Sequence, residues 1–199
     1  MNCIHYDDLH IDEEWFNIGN EREGNSPRDI VFKFITYWIA FNAIFAKYQK
    51  EIYKDIEKNN KTKTENESEA RQIIRLINDK YDECLKGIIN FNDEQALNIF
   101  KEAPVFKSHI YPDDIDYLKG EINTFNYNQR HSIRIYRKFI GAKDPKKRLI
   151  NLLLMIKQVR NNLFHGQKTY SPERNFDLVN SSQQILEIIL QALIYSKRY

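Results

Sequence analysis

At 199 residues, with 42% apolar and 29% charged positions, the chain can bury the core of one domain and is short for two. Lys+Arg 30 against Asp+Glu 28 leaves a net charge of +2, which excludes a whole-protein polyanion field and confines any such site to a local patch. Gly 6 and Pro 5 are too few for the turns of a sandwich or barrel, so the expected fold class is all-α, a single-domain helical bundle of about five to six helices.

Residues 1–25 read as an irregular acidic segment. His5, Asp7, Asp8, His10, Asp12, Glu13 and Glu14 fall there at spacings that fit no metal-ligand motif, so neither a metal nor a cofactor is expected. Acids stand where a signal peptide would need a basic region and an apolar core. No run is read as approaching the roughly 20 apolar residues that span a bilayer. Cys3 and Cys84 match no metal or redox spacing and suit a reducing compartment. The expectation is a cytoplasmic protein without membrane contact.

Residues 26–199 then form the helical domain. Ser26-Pro27-Arg28-Asp29 is a helix start, with an N-cap serine, proline at the first helical position and an acid in the first turn. Phe34, Trp38, Phe41 and Phe45 follow at three- and four-residue spacing, which predicts a helix to about Glu57 whose aromatic face is core or dimer interface. Asn42 lies within that apolar face, where its amide needs a partner; it either supports a site or is a satisfied core asparagine. A polar tract over 58–68 predicts a loop. Helices are expected over 69–91, with Ile73, Leu76, Ile77, Tyr81, Cys84 and Leu85 on one side, then 93–103 and 113–125. His109 and His131 are isolated and read as ordinary polar residues.

Arg130, Arg134, Arg137, Lys138, Lys143, Lys146, Lys147 and Arg148 are opposed by Asp144 alone. Tyr127, Tyr136 and Phe139 are interleaved, as in surfaces that hold single-stranded RNA by phosphate contact and stacking. A solvated basic face, or one complementary to an acidic protein such as an antitoxin, fits the same composition. Asp144-Pro145 repeats the cap-plus-proline signal and opens a helix from 146 to 165, stopped by Gly166; Ser171-Pro172 opens the last.

The string Arg160-Asn161-Asn162-Leu163-Phe164-His165 ends the 146–165 helix. Arginine holds phosphate in a fork and histidine moves protons near neutral pH, the two parts needed to cleave a phosphodiester without a metal. Leu149, Leu153, Ile156 and Leu163 form an apolar stripe with Arg160 in its middle. Such an arginine is either paired with a carboxylate from another helix or faces a polar cleft. His165 is rotated by about 140° from Arg160, so one copy converges poorly. At the carboxyl end of the helix dipole, His165 is favoured as imidazolium, and it serves either as a C-cap or as an acid.

Arg160-Asn161-x3-His165 resembles the R-x4–6-H signature of the HEPN superfamily, within Gln158-Val159-Arg160-Asn161-Asn162-Leu163-Phe164-His165-Gly166. Phe34-Ile35-Thr36-Tyr37-Trp38-Ile39-Ala40-Phe41-Asn42-Ala43-Ile44-Phe45 is similar to the early W-x-A-F-N helix of many bacterial members. The resemblance implies a HEPN-like bundle that pairs two motifs across a homodimer. It also implies a metal-independent endoribonuclease, from a toxin–antitoxin or antiviral defence system, with an antitoxin or defence protein as partner. Arg160, His165 and Asn161 would be catalytic, and Asn42 and Asn162 would support them. From the charge pattern rather than the resemblance, Arg130, Arg134, Arg137, Lys146, Lys147 and Lys168 are the expected RNA contacts. Some members keep the fold without cutting RNA, so a non-catalytic module binding nucleotide, RNA or protein as a scaffold or regulator is the alternative. A subgroup carries a tyrosine two residues after the histidine that a partner nucleotidyltransferase modifies; here that position is Gln167, with Lys168 and Tyr170 beyond it.

Overall fold

The computed structural model describes residues 10–58, 68–86, 94–102, 127–164 and 172–195. Seven α-helices run through them: α1 (Ile11–Asn20), α2 (Pro27–Lys58), α3 (Glu69–Lys80), α4 (Glu94–Glu102), α5 (Tyr127–Gly141), α6 (Pro145–Phe164) and α7 (Pro172–Tyr195). No strand occurs among the described residues. The all-α expectation holds, with more helices than the sequence suggested.

Two starts form as the sequence predicts. Ser26 Oγ accepts from Asp29 N (3.3 Å) while Asp29 Oδ2 accepts from Ser26 N (3.1 Å), a reciprocal box that satisfies two first-turn donors. Arg22 Nε donates to Asp29 Oδ1 at 2.6 Å, and the Ser26 hydroxyl and Arg22 together hold the Asp29 carboxyl below its usual range. At the other start, Asp144 Oδ1 accepts from Lys146 N at 2.9 Å.

Two expectations are corrected. The segment read as irregular contains α1, because Asp12, Glu13 and Glu14 fill its first turn, where negative charge meets the positive end of the helix dipole. Asp12, Glu13 and Glu14 are thus a favourable helix entrance, while His5, Asp7 and Asp8 lie outside the described residues; Phe16 behind that entrance is fully buried against Tyr37, with ring centroids 5.5 Å apart. Gly19 sets the spacing of α1 on α2, since a Cβ there would stand 2.4 Å from Tyr37 Cε1 and 2.7 Å from Thr36 Oγ1. The second correction is α5. Ile133, Tyr136 and Phe139 are buried, and the Tyr136 hydroxyl donates to the Lys101 carbonyl at 2.9 Å. These aromatics are packing groups, so Tyr136 and Phe139 are not available to stack on bases. The Tyr127 side chain lies outside the described part.

The core sits where α2, α6 and α7 meet, joined by Ile73, Leu76 and Ile77 of α3. Phe34 and Phe41 are fully excluded from solvent, and Trp38 and Phe45 nearly so; the aromatic stripe is core. That packing explains why Pro27–Ile52 is long and apolar enough to cross a membrane by length and composition, contrary to the sequence expectation; half of that stretch is buried in this fold. Helix α3 ends in a π-helical turn over Tyr81–Leu85, closed by Lys86 N on the Tyr81 carbonyl at 2.7 Å. The helix expected over 69–91 is thus shorter and changes geometry, and the tract 59–67 and the helix expected over 113–125 lie outside the described residues.

Candidate functional site

Helices α3 and α6 lie antiparallel, and both ends of the contact show it. At one end Lys146 Nζ reaches Asp82 Oδ2 (3.1 Å) and the Asn78 carbonyl (3.3 Å), with Tyr81 5.4 Å beneath the ammonium. At the other, Arg160 donates to Glu69 Oε1 while Lys157 Nζ stands 3.3 Å from Glu69 Oε2. Two cations one turn apart on α6 therefore share one carboxylate.

Leu149, Leu153 and Ile156 are fully buried and Leu163 packs against the core, so Arg160 does interrupt an apolar stripe. Of its two sequence readings, the cross-helix ion pair is the one observed. The pair is not sealed, because the Arg160 side chain keeps 21% exposure and Glu69 27%. The guanidinium also lies 4.9 Å above the Trp38 ring, a cation–π contact that shields its inner face.

Three buried polar atoms around this point have no hydrogen-bond partner: Arg160 Nε, Trp38 Nε1 and Asn42 Oδ1. Trp38 and Asn42 are one turn apart on α2, and Trp38 carries the guanidinium. Buried orphan groups are costly, about 1–3 kcal/mol each, and native structures hold few of them. The expected support role of Asn42 thus has a location beside Trp38, without a bond that performs it.

The other expected residues divide clearly. Asn161 and Asn162 are half-buried in the last turns of α6, and Asn162 Oδ1 accepts from Gln158 Nε2 at 2.8 Å. His165, Gly166, Lys168, Tyr170 and the Arg130 side chain lie outside the described residues, as does His109. Arg134 is exposed on α5, Arg137 and Lys147 line a groove, and Lys146 is engaged in tying α6 to α3. No cluster of metal-binding side chains occurs among the described residues.

Charge is segregated along the chain. Residues 127–164 contain ten of the 30 Lys/Arg but a single acid, Asp144, giving +9 there and −7 over the remainder. His131 reports the crowding: burial first, then Lys157, Arg134 and Lys138, lower its pKa below the ordinary histidine value. Arg134 and Lys138 of α5 thus share a positive face with Lys157 of α6.

Sequence reasoning missed Glu69, Lys157 and Trp38 as parts of this site. Lys157 and Arg160, three apart on a largely apolar helix, signal that an acid must come from elsewhere. Nothing in the sequence says that the acid opens α3. In comparison with known protein families, curated proteins and solved structures, the chain matches none.

Proposed function

We propose that this chain is a metal-independent endoribonuclease whose active site is completed by a homodimer, with Arg160, Asn161 and His165 contributed by each copy. The observation that carries the reading is the acid-free pair of helices α5 and α6 on an almost neutral protein, whose cations outnumber the carboxylates Asp82 and Glu69 that meet Lys146, Lys157 and Arg160 from α3 and its extension. The resemblance of the Arg160–His165 string to the HEPN signature points the same way and suggests a toxin or antiviral defence role in the cytoplasm, controlled by a partner protein.

In this reading a 2′-hydroxyl of RNA attacks the adjacent phosphorus. One His165 takes the hydroxyl proton, the P–O5′ bond breaks, and the other His165 protonates the departing O5′, leaving a 2′,3′-cyclic phosphate and a 5′-hydroxyl. Arg160 stabilises the phosphoryl oxygens as charge develops, and Asn161 orients a histidine or the phosphate. Because Glu69 already holds Arg160, an entering phosphate must displace or share that carboxylate. Purified chain incubated with mixed RNAs in chelator should yield cyclic-phosphate ends, and His165→Ala should abolish them with helicity and assembly intact. Undiminished cleavage by His165→Ala removes the catalytic assignment.

The Arg160–Glu69 pair is the specific observation that favours a non-catalytic RNA-binding module, since a neutralised arginine binds but stabilises a transition state less well. RNA binding by the wild type without any cut would select that alternative.

A further inference from the structure

Between the two ends of the α3–α6 contact, an open groove of about 540 Å³ lies against α3, α5 and α6. Its apolar floor is Ile74, Ile150 and Leu154, and Arg137, Lys138 and Lys147 stand around it; no acid lines it. The volume falls within the about 300–1,000 Å³ typical of small-ligand sites. An apolar floor with a cationic rim suits a ligand with a flat, weakly polar body and phosphates at its edge.

We infer that this groove takes the base and sugar of one nucleotide in a single RNA strand bound along α6, with the flanking phosphates on Lys138 and Lys147. The inference rests on the RNA reading above and deepens it by naming the form of the substrate. Lys147 and Arg160 are thirteen residues apart on one helix, about 20 Å along the axis at 1.5 Å per residue and about 140° around it, so a strand joining them winds across α6. At about 3.4 Å per stacked nucleotide that is roughly six nucleotides, and fewer if the strand is extended.

Position favours a strand over a mononucleotide, because cations continue past the groove through Arg134 and Lys157 around His131, and Lys157 and Arg160 then set two positive charges against the single carboxylate of Glu69. The floor favours an unpaired base. A base in a duplex is stacked and its edges are occupied, whereas a splayed base can lay its face on Ile150 and Leu154.

The test uses full-length His165→Ala protein, so that bound RNA stays whole, with fluorescence anisotropy of labelled oligonucleotides. An RNA of about eight nucleotides should bind roughly tenfold or more tightly than one of about three. Removing the bases from the longer strand while keeping its phosphates should erase most of that gap, and a hairpin duplex should not show it. Lys138→Glu with Lys147→Glu should remove the gap as well. Equal binding of the base-free and intact strands, of duplex and single strand, or of AMP and the eight-mer would overturn the inference, as would preferential binding of an acidic peptide. The two proposals fail separately. Cleavage without base-dependent binding leaves the ribonuclease standing and removes the groove; base-dependent binding without cleavage by the wild type does the reverse.

Discussion

The two ends of α6 are built on one plan and differ in one respect. Each places a cation of α6 against a carboxylate of α3 or its π-helical extension, over an aromatic ring. At the Lys146 end the carboxylate is 68% exposed and the ammonium also takes a backbone carbonyl, so its hydrogen bonding is well used. At the Arg160 end the partners are mostly shielded, two cations divide one carboxylate, and Arg160 Nε with its neighbours Trp38 Nε1 and Asn42 Oδ1 is left over. A flexible ammonium paired with a carboxylate in water fastens one helix to another at low cost. A guanidinium held in a half-dry site with an unused donor is poorly explained by fastening alone.

The comparison breaks most visibly at the rings. Trp38→Ala should cost about 3–5 kcal/mol in urea unfolding, because the indole is core as well as a platform, while Tyr81→Ala should cost about 1–2 kcal/mol. Equal losses would mean that the two ends are energetically alike. The carboxylates come next. Glu69→Gln should destabilise by about 1–3 kcal/mol, reduced from the cost of a fully buried pair by its partial exposure, and Asp82→Asn by no more than about 0.5 kcal/mol. If RNA contacts this face, Glu69→Gln should also tighten binding at low salt, and an unchanged affinity would separate Arg160 from the RNA path.

The smallest expected effect belongs to His131. Its folded pKa is depressed below an unfolded value of about 6.5, so both states are neutral above that pH and stability is at its full value. As pH falls below about 6.5 the unfolded chain takes the proton first, and stability declines until the folded ring also titrates. His131→Gln should flatten this decline in urea midpoints measured between about pH 7.5 and 5.5. A bound polyanion should reverse the sign of the local field, so RNA binding should strengthen over the same fall in pH.

Much of the bundle was legible because helix signals are local. Ser26-Pro27 and Asp144-Pro145 cap and start α2 and α6, and the periodicity of Phe34, Trp38 and Phe41 reports a buried face. Helix α1 was hidden because acids that stabilise a first turn also compose a disordered tail. Helix α5 was hidden because its cations drew attention to charge, while Ile133, Tyr136 and Phe139 carried the helical spacing. At the site, the wheel placed Arg160 correctly within an apolar stripe and posed the right pair of alternatives. The deciding residue, Glu69, lies 91 positions earlier, and that distance is closed by the antiparallel docking of α3 on α6, a tertiary fact with no local signature.

That separation has a consequence for the order in which the molecule comes into being. The latch at the α1–α2 corner joins residues seven apart, Arg22 and Asp29, and can close as soon as the first helices leave the ribosome. Glu69 is also made well before its partner Arg160. When α6 is finally synthesised, the carboxylate that Arg160 meets in the fold is already part of the chain. The arginine is therefore the last member of its own ion pair to be born, and the folded chain acquires that cation together with the acid that restrains it.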